Sequence, residues 1–315
     1  MDKAIEELRQ EPALAWKVAV KILGKGDSSS EANQARAQVK QASLVKELIE
    51  KCDYLHSAYK KWDGTHWVLS VLADLGYPAG DETLRPLMDH TLNTWLSAVH
   101  EKNHLRVLDG RVRRCASQEG YAVWSSLRLG FADGRTDELV SRLLKWQWPD
   151  GGWNCDKRPQ ANKSSFMETL IPLRALSLYA SVSGDATVKA ATARAAQVFL
   201  TRRLFKRLRD GALMDEHFVR LHYPAYWHYD ILFGLKVMAE AGFIDDPRCA
   251  AALDLLESKR LPDGGFPAEE SYARPTRPQL SGYSPVGWGG TSTKNLNPFV
   301  TADALYVLRL AGRRK

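Results

Sequence analysis

The same short turn follows a predicted helix at two places in this sequence. The residues Pro-Asp-Gly-Gly and then an aromatic residue run from Pro149 to Trp153 and again from Pro262 to Phe266. Proline fixes its own φ and disfavours helix in the residue before it, and the two glycines allow positive φ. Each copy is therefore expected to end a helix in a tight turn. A turn repeated after a helix indicates an internally repeated helical fold.

From residue 60 onward, two kinds of helical segment alternate along the chain. One kind is apolar on nearly every side, as in 67–76, and the other has a single apolar stripe, as in 81–99. The further apolar segments are 121–130, 166–179, 229–242 and 299–310, and the further striped segments are 137–145, 186–205 and 247–260. A helix that is apolar all round is buried, whereas a striped helix faces water on its other side. The pattern predicts buried helices covered by outer helices, and no strands.

This alternation predicts an all-α toroid, which is a closed α/α barrel with an inner and an outer ring of helices. Long connections rich in glycine and aromatic residues precede the inner helices, and they favour closure because they gather over one mouth. An open helical solenoid is the alternative. We expect the toroid to span 60–315 and residues 1–59 to form an N-terminal helical extension packed on it.

The segments Gln147 to Trp153 and Leu261 to Phe266 resemble the repeats of the terpenoid cyclase and protein prenyltransferase α/α toroids. The whole looks most like bacterial proteins described as squalene-cyclase-like or prenyltransferase-repeat proteins. The resemblance implies an active site at one end of the inner ring. The Asp-x-Asp-Asp acid motif of squalene–hopene-type cyclases is missing, as is the aspartate-rich diphosphate motif of class I terpene synthases. Since the same toroid hosts cyclases, prenyltransferases and non-enzymes, the motif predicts fold better than chemistry.

Cysteine and histidine precede three of the predicted inner helices, at Cys115, Cys155 and His228. Parallel inner helices would bring these residues to one rim, beside positive helix N-termini that favour thiolates. The three residues can form a zinc site whose open fourth position activates water or a thiol. The resemblance points the same way, because protein prenyltransferases hold zinc with Asp, Cys and His at this end and lanthionine cyclases use Cys, Cys and His. The alternatives are buried thiols that act as small apolar groups, and a nucleophilic cysteine without metal.

Three further polar residues near the starts of the apolar segments are candidates for catalysis. Asp230 is the first choice as general acid or base, Glu119 is the second, and His66 is the third. A buried carboxylate must be paired, ligating or protonated. The alternative for His66 is a hydrogen bond to a neighbouring backbone carbonyl. Glu168 is similar to Asp230, with an ion pair to Arg174 as its alternative.

Aromatic side chains near the same rim are candidates for substrate binding. Aromatic walls suit apolar or cationic ligands, although core packing is the commoner use. The candidates are Trp67, Trp124, Trp153, Trp227, Tyr229 and Trp288. The long connection 267–298 is expected to be a lid or binding loop over the rim.

The net charge is +7, and part of it lies in the basic cluster of 201–209. A basic surface can bind nucleic acid, whereas a solvated surface is the simpler interpretation. Because the first residues are charged and amphipathic and no apolar run approaches the length of a membrane span, we expect no signal peptide and a cytoplasmic location. We expect the four cysteines to be reduced there, and their lack of Cys-x-x-Cys spacing predicts no local zinc knuckle.

These features predict a small-molecule enzyme with its site at the mouth of the barrel. We expect it to be a zinc-dependent transferase or hydrolase with an apolar or isoprenoid-like substrate. One alternative is a non-catalytic scaffold or nucleic-acid-binding module that uses Arg202, Arg203, Lys206, Arg207 and Arg209. The other is a terpene-cyclase-like lyase or isomerase with an Asp or Glu acid.

Overall fold

The computed structural model describes residues 2–54, 56–278 and 280–313. Most of these residues are helical, so the predicted all-α class is confirmed. The α-helices are α1 (Asp2–Leu8), α2 (Ser30–Gln41), α3 (Ser43–Glu50), α4 (Thr65–Leu75), α5 (Arg85–Leu96), α6 (Ala98–His104), α7 (Ala116–Arg128), α8 (Gly134–Trp146), α9 (Phe166–Ser183), α10 (Ala186–Leu200), α11 (Ile231–Glu240), α12 (Ala250–Ser258) and α13 (Pro298–Leu310). Residues Lys17–Ile22 form a π-helical turn, and short 3₁₀ turns lie at Pro12–Leu14, Glu82–Leu84, Glu216–Val219 and Pro247–Cys249.

Helices that are buried along their length contact one another in chain order. α4 contacts α7, α7 contacts α9, α9 contacts α11, and α11 contacts α13. Each of the first four also contacts the helix that follows it among α5, α8, α10 and α12. α4 is buried at nearly every position, whereas α8 buries a single stripe that includes Leu139 and Leu143. The apolar pattern therefore separates buried helices from covering helices.

The two copies of the repeated turn are closed by the same hydrogen bonds. In the first, the Trp148 N–H donates to the Gly152 carbonyl at 2.8 Å and the Gly151 N–H donates to the Trp148 carbonyl at 2.9 Å. In the second, the corresponding bonds join Leu261 to Gly265 and Gly264 to Leu261, both at 2.9 Å. Gly151 and Gly264 have φ of 100° and 87°, which glycine adopts without strain.

Each turn is also tied to the next buried helix by a threonine hydroxyl. The Trp153 N–H donates to Thr169 Oγ1 of α9 at 3.2 Å, and the Phe266 N–H donates to Thr301 Oγ1 of α13 at 2.9 Å. Both threonines are fully buried. The sequence repeat therefore fixes where each connection meets the start of the following helix.

One short hairpin is present where the sequence predicts no strand. β1 (Arg106–Leu108) pairs antiparallel with β2 (Arg111–Arg113), with Val107 opposite Val112. The turn residues Asp109 and Gly110 have φ of 49° and 69°. Positive φ at both central residues and an Asp-Gly pair are typical of a two-residue hairpin, so this dipeptide was the missed signal. The hairpin leads directly into the segment that carries Cys115.

The N-terminal region packs closely against the last helix. α1 and the turn Lys17–Ile22 both contact α13, and Lys17 Nζ lies 2.7 Å from Asp303 Oδ1 of α13. The boundary at residue 59 stays a prediction, because a contact by itself does not define a domain. Along the described residues, no helix combines the length and the apolar character that crossing a membrane requires.

Candidate functional site

The structure brings together Cys115, Cys155 and Glu168. One ligand atom from each, two Sγ atoms and a carboxylate oxygen, lie within 4.8 Å of one another. Among the described residues, it is the only group of three or more Cys, His, Asp or Glu side chains whose ligand atoms lie close enough together to hold a metal ion. Cys115 is the residue before α7, and Glu168 lies in the first turn of α9, so the neighbouring α7 and α9 set the separation.

Backbone hydrogen bonds join the two segments that carry the cysteines. The Arg114 N–H donates to the Asn154 carbonyl at 3.1 Å, so the residues before Cys115 and Cys155 are held together. The Asn154 side chain donates to the Lys163 carbonyl at 2.8 Å and accepts from the Asp156 N–H at 2.9 Å. The side-chain amide of Asn154 therefore fixes the backbone on both sides of Cys155.

Glu168 is held by α7 and by the thiol. The Ser117 N–H donates to Glu168 Oε2 at 3.0 Å, and Cys155 Sγ donates to Oε1 at 3.4 Å. Burial and then the neighbouring Cys155 hold the pKa of Glu168 well above its ordinary value. The Cys115 thiol and burial raise the pKa of Cys155. A metal ion bound here would have to displace these protons.

His228, the predicted third zinc ligand, lies in a different environment. Its ring stacks on Tyr272 at 3.4 Å and on Trp227 at 4.0 Å between centroids. Burial lowers the pKa of His228 to about 2, with the nearby His222 adding to the effect. His228 precedes α11 and is not part of the group formed by Cys115, Cys155 and Glu168. The structure therefore places Glu168, and not His228, with the two cysteines.

Asp230, the first candidate for acid or base, is the N-cap of α11. Its carboxylate accepts from the Phe233 N–H at 2.7 Å and from the His222 N–H at 2.9 Å. Oδ2 also lies 2.8 Å from Nδ1 of His222, and both side chains are 1% exposed. Burial lowers the pKa of His222, but the charge and hydrogen bond of Asp230, together with backbone hydrogen bonds, outweigh burial and raise the pKa overall. Asp230 is thus a capping residue in a buried pair, and His222 is the partner that the sequence did not indicate.

Glu119 and His66 are fully enclosed. Glu119 pairs with Arg114, and burial raises the pKa of Glu119 more than Arg114 lowers it. The ring of His66 makes edge contacts to Trp67 at 4.6 Å and Trp95 at 5.2 Å. Neither His66 nitrogen has a hydrogen-bond partner among the described residues, and burial lowers the pKa of this histidine to about 3. The alternative interpretation of His66, a hydrogen bond from its side chain to a backbone carbonyl, is therefore not borne out within this part of the chain.

Most of the aromatic candidates belong to the core. Trp67, Trp153 and Tyr229 are each 1% exposed. The Trp153 Nε1–H donates to the Leu143 carbonyl at 3.0 Å, and the Tyr229 hydroxyl donates to the Leu204 carbonyl at 2.6 Å. These interactions fill the space between helices.

The other three aromatic candidates lie in different places. Trp227 is partly exposed beside His228, and Trp288 is buried with its Nε1–H donating to Ser284 Oγ at 3.0 Å. Trp124 lines a cavity of about 230 Å³ at the far end of α7.

The connection 267–298, apart from Gln279, which lies outside the described residues, packs on the same side as His228. Tyr272 stacks on His228 and accepts through its carbonyl from the Trp62 Nε1–H at 2.8 Å. The backbone of Arg274 bonds to Gly282 at 2.9 Å and to Ser284 at 3.1 Å, which folds the loop on itself. The predicted lid function stays a prediction.

A network of buried charges lies away from the cysteines, on α4, α9, α11, α13 and the turn Lys17–Ile22. Lys17 and Lys236 each contact both Asp74 and Asp303, at 2.6 to 2.7 Å. Arg174 contacts Asp74 at 2.9 Å, and it also pairs with Glu240 at 2.6 Å. The available sequence signal was the presence of Asp74, Lys236 and Asp303 inside otherwise apolar segments.

The basic cluster of 201–209 is partly neutralised by one acid. Arg207 and Arg209 pair with Asp210 at 3.1 and 3.2 Å, and Arg202 donates to the Val198 carbonyl at 3.0 Å. Arg203 and Lys206 join Arg202 and Arg207 around a shallow pocket. A nucleic-acid role for this surface stays a prediction.

Comparison with known proteins does not assign the chain to a family. No protein-family model matches the chain, and no curated protein matches it either. Among solved structures, it is similar to a protein from Actinoplanes whose structure was determined by crystallography. The two chains are 19% identical, the alignment covers 96% of this chain and 90% of the other, and the TM-score is 0.42. A similarity at this level supports no statement about family, fold or function.

Proposed function

We propose that Cys115, Cys155 and Glu168 bind a zinc ion and that the protein is a zinc-dependent enzyme for a small molecule. The observation that supports this is the convergence of three ligand atoms within 4.8 Å from three separate parts of the chain. Thiolate and carboxylate are ligands that zinc accepts, and three protein ligands leave a fourth position open. Glu168 takes the place that the sequence had suggested for His228.

When bound in such a set, zinc supplies activation of water or of a thiol as a nucleophile. The chain supplies the orientation of the ligands. The Ser117 N–H holds one oxygen of Glu168, and Asn154 fixes the backbone beside Cys155. These contacts serve as an outer shell that orients the ligands.

The proposed apolar or isoprenoid-like substrate rests on the aromatic surroundings of the start of α4, where Trp67 and Trp95 are themselves buried. Burial raises the pKa of Tyr59, and Cys115, Glu168 and Cys155 add to the effect. The Tyr59 ring packs on Trp67 at 5.1 Å. Trp95 lies 6.2 Å from the same ring. Aromatic surface of this kind suits an apolar substrate group.

We also propose that the helices close into an α/α toroid of the terpenoid cyclase and protein prenyltransferase kind. The succession of contacts from α4 through α7, α9 and α11 to α13 supports an inner ring. Lys17 would complete it, because its Nζ reaches Asp74 of α4 at 2.6 Å and Asp303 of α13 at 2.7 Å. The turn Lys17–Ile22 would then be a further inner segment between the first and last helices.

The cyclase-like alternative receives less support. Asp230 and Glu119 are a helix cap and an ion-pair partner, and neither lines the cavity at the far end of α7 or the smaller one beside Tyr223. Glu168 also lies outside both cavities. An acid that protonates a substrate must reach it, so these positions give no support to an acid role for Asp230, Glu119 or Glu168.

The test is the zinc content of protein purified without a histidine tag. We expect about one zinc per chain in the natural protein and none in Cys115→Ser/Cys155→Ser, because a thiol ligand is lost from each segment. Cys52→Ser/Cys249→Ser is the matched control, since both of these thiols lie outside the group, and it should retain zinc. Natural protein without zinc after growth in zinc-supplemented medium would refute the proposal, as would equal loss of zinc in the control.

A further inference from the structure

A second candidate site lies at the other end of α7. Cys115 precedes the first residue of this helix and Arg128 is its last residue, so about 18 Å of helix separates the two sites at ~1.5 Å per residue. The cavity there has a volume of about 230 Å³. It is lined by parts of α4, α7, α9, α11 and α13 and by Trp16, Lys17 and Lys21 of the N-terminal region. We call it the basic cavity.

The lining of the basic cavity has more basic than acidic groups. Five side chains are basic and three are acidic, which gives a net charge of +2. The three acids are Asp74, Glu240 and Asp303, and each lies within 3 Å of Lys17, Lys236 or Arg174. These six groups compensate one another, so the excess charge belongs to the two remaining cations.

Those two cations are Lys21 and Arg128, and among the described residues their ion-pair partners lie only at 4.0 and 3.9 Å. Lys21 Nζ lies 4.0 Å from Glu240, whose oxygens already accept from Arg174, and it contacts the Tyr306 hydroxyl at 3.3 Å. Arg128 reaches Asp27 at 3.9 Å. Asp27 is half exposed and also pairs with Arg36 and accepts from Trp16. Burial lowers the pKa of Lys21 to about 8 and also lowers the pKa of Arg128, as expected for cations that lack compensation.

We propose that the basic cavity binds a small phosphate monoester, with Lys21 and Arg128 as the principal contacts of its phosphate. A dianion matches the net charge of +2, and guanidinium and ammonium groups form charge-assisted hydrogen bonds to phosphate oxygens. Ser177 also lines the cavity and provides a hydroxyl donor, whereas the Ser181 hydroxyl donates to the Leu178 carbonyl at 2.7 Å.

The walls of the cavity are suited to the organic part of such a ligand. Trp16 and Tyr306 line it, and Lys21 lies over both rings, at 5.4 and 4.4 Å from the ring centroids. The volume of about 230 Å³ is many times the ~10–15 Å³ of the same measure that holds one water molecule, so the cavity has room for a ligand of several heavy atoms. We therefore expect a monoester to bind more tightly than inorganic phosphate.

The competing explanation is that the cations only compensate helix ends. α7 ends at Arg128 and α11 ends at Glu240, and C-terminal helix ends carry partial negative charge that stabilises cations. On this explanation, removal of Lys21 or Arg128 destabilises the fold and phosphate has no effect. On the proposal, each removal takes away an uncompensated charge and leaves the stability in chloride buffer unchanged or higher.

Equilibrium dialysis measures the binding of radiolabelled inorganic phosphate and of phenyl phosphate. Thermal unfolding is then compared in phosphate and in chloride at equal ionic strength. We expect saturable binding of both probes, tighter for phenyl phosphate, and a higher Tm in phosphate. Lys21→Gln and Arg128→Gln should each weaken binding by about tenfold or more without a lower Tm in chloride.

The matched control is Arg203→Gln/Lys206→Gln in the basic cluster of 201–209, which should bind phosphate like the natural protein. Cys115→Ser/Cys155→Ser should also bind normally, so the outcome does not depend on the zinc proposal. Lack of phosphate binding by the natural protein would refute the inference. Equal weakening in the control, or a marked loss of stability in Lys21→Gln and Arg128→Gln, would do so as well.

Discussion

His66 shows how burial changes what a single ionisable residue does. Its side chain is enclosed by tryptophan and tyrosine rings, and its pKa is lowered to about 3 because burial disfavours the charged form. An ordinary histidine has a pKa near 6.5. The neutral ring therefore behaves as an aromatic core residue at neutral pH.

This shift predicts a pH dependence of stability. Between pH ~6.5 and ~3 the unfolded chain binds a proton at His66 that the folded chain does not bind, so the free energy of unfolding falls as the pH is lowered through this range. In His66→Phe this contribution is removed. Urea unfolding between pH 7 and pH 4 should show a shallower decline for the variant, and equal slopes would show that His66 is accessible to protons in the folded state.

At the same scale, the metal-binding hypothesis depends on which residue completes the pair of thiols. The sequence suggested His228 because it precedes an apolar helix, as Cys115 does. Glu168 lies inside such a helix, and its alternative in the sequence was a pair with Arg174. In the structure Arg174 instead contacts Asp74 and Glu240, so Glu168 remains available to the cysteines.

At the scale of helices, the buried ion pairs connect elements that are distant in sequence. Asp303 of α13 accepts from Lys17 and from Lys236 of α11, each at 2.7 Å. Such a pair is not strong evidence of net stabilisation, because burial of charge costs nearly what the attraction returns. Removal of one partner is nevertheless costly, because the other charge is left buried.

Asp303→Asn should therefore destabilise the fold by about 3–5 kcal/mol, since both lysines lose a carboxylate and only Asp74 remains for them. The matched control is Glu138→Gln on α8, where an exposed pair with Arg142 is broken and the expected loss is below about 1 kcal/mol. The measurement is the free energy of unfolding in urea. Similar small losses in both variants would mean that water reaches the buried network.

At the scale of the whole molecule, the question is whether the first 59 residues are an addition or a part of the fold. Our sequence-based prediction treats them as a packed extension. The contacts of α1 and Lys17–Ile22 with α13, and the reach of Lys17 to both Asp74 and Asp303, tie the first residues to α4 and to the last helix. Loss of this region would expose apolar surface as well as two carboxylates.

We therefore expect the fragment 60–315 to lose cooperative unfolding, because it lacks Lys17 and the apolar cover of α13. Circular dichroism during heating is the measurement, with the full chain as reference and Lys17→Met in the full chain to separate the lost charge from the lost packing. If the fragment unfolds as sharply as the full chain and at a similar Tm, the result would support the prediction that residues 1–59 are an extension of a separate fold.

The sequence by itself determined the helical class, the alternation of buried and covering helices and the repeated turn. These features are local: apolar periodicity of a segment decides whether it is buried, and Pro-Asp-Gly-Gly closes the same turn at Trp148 and at Leu261. The hairpin was also encoded locally, in Asp109-Gly110, although the strands were too short to give a pattern.

Only the tertiary structure decided which side chains meet. Cys155 and Glu168 lie close in sequence, but Cys115 joins them because α7 packs on α9, whereas His228 stacks on Tyr272 and Trp227. Likewise, Lys17 meets Asp303 across most of the length of the chain. A site depends on distances between elements, and those distances are set by the packing of whole helix faces, which no local pattern of residues records.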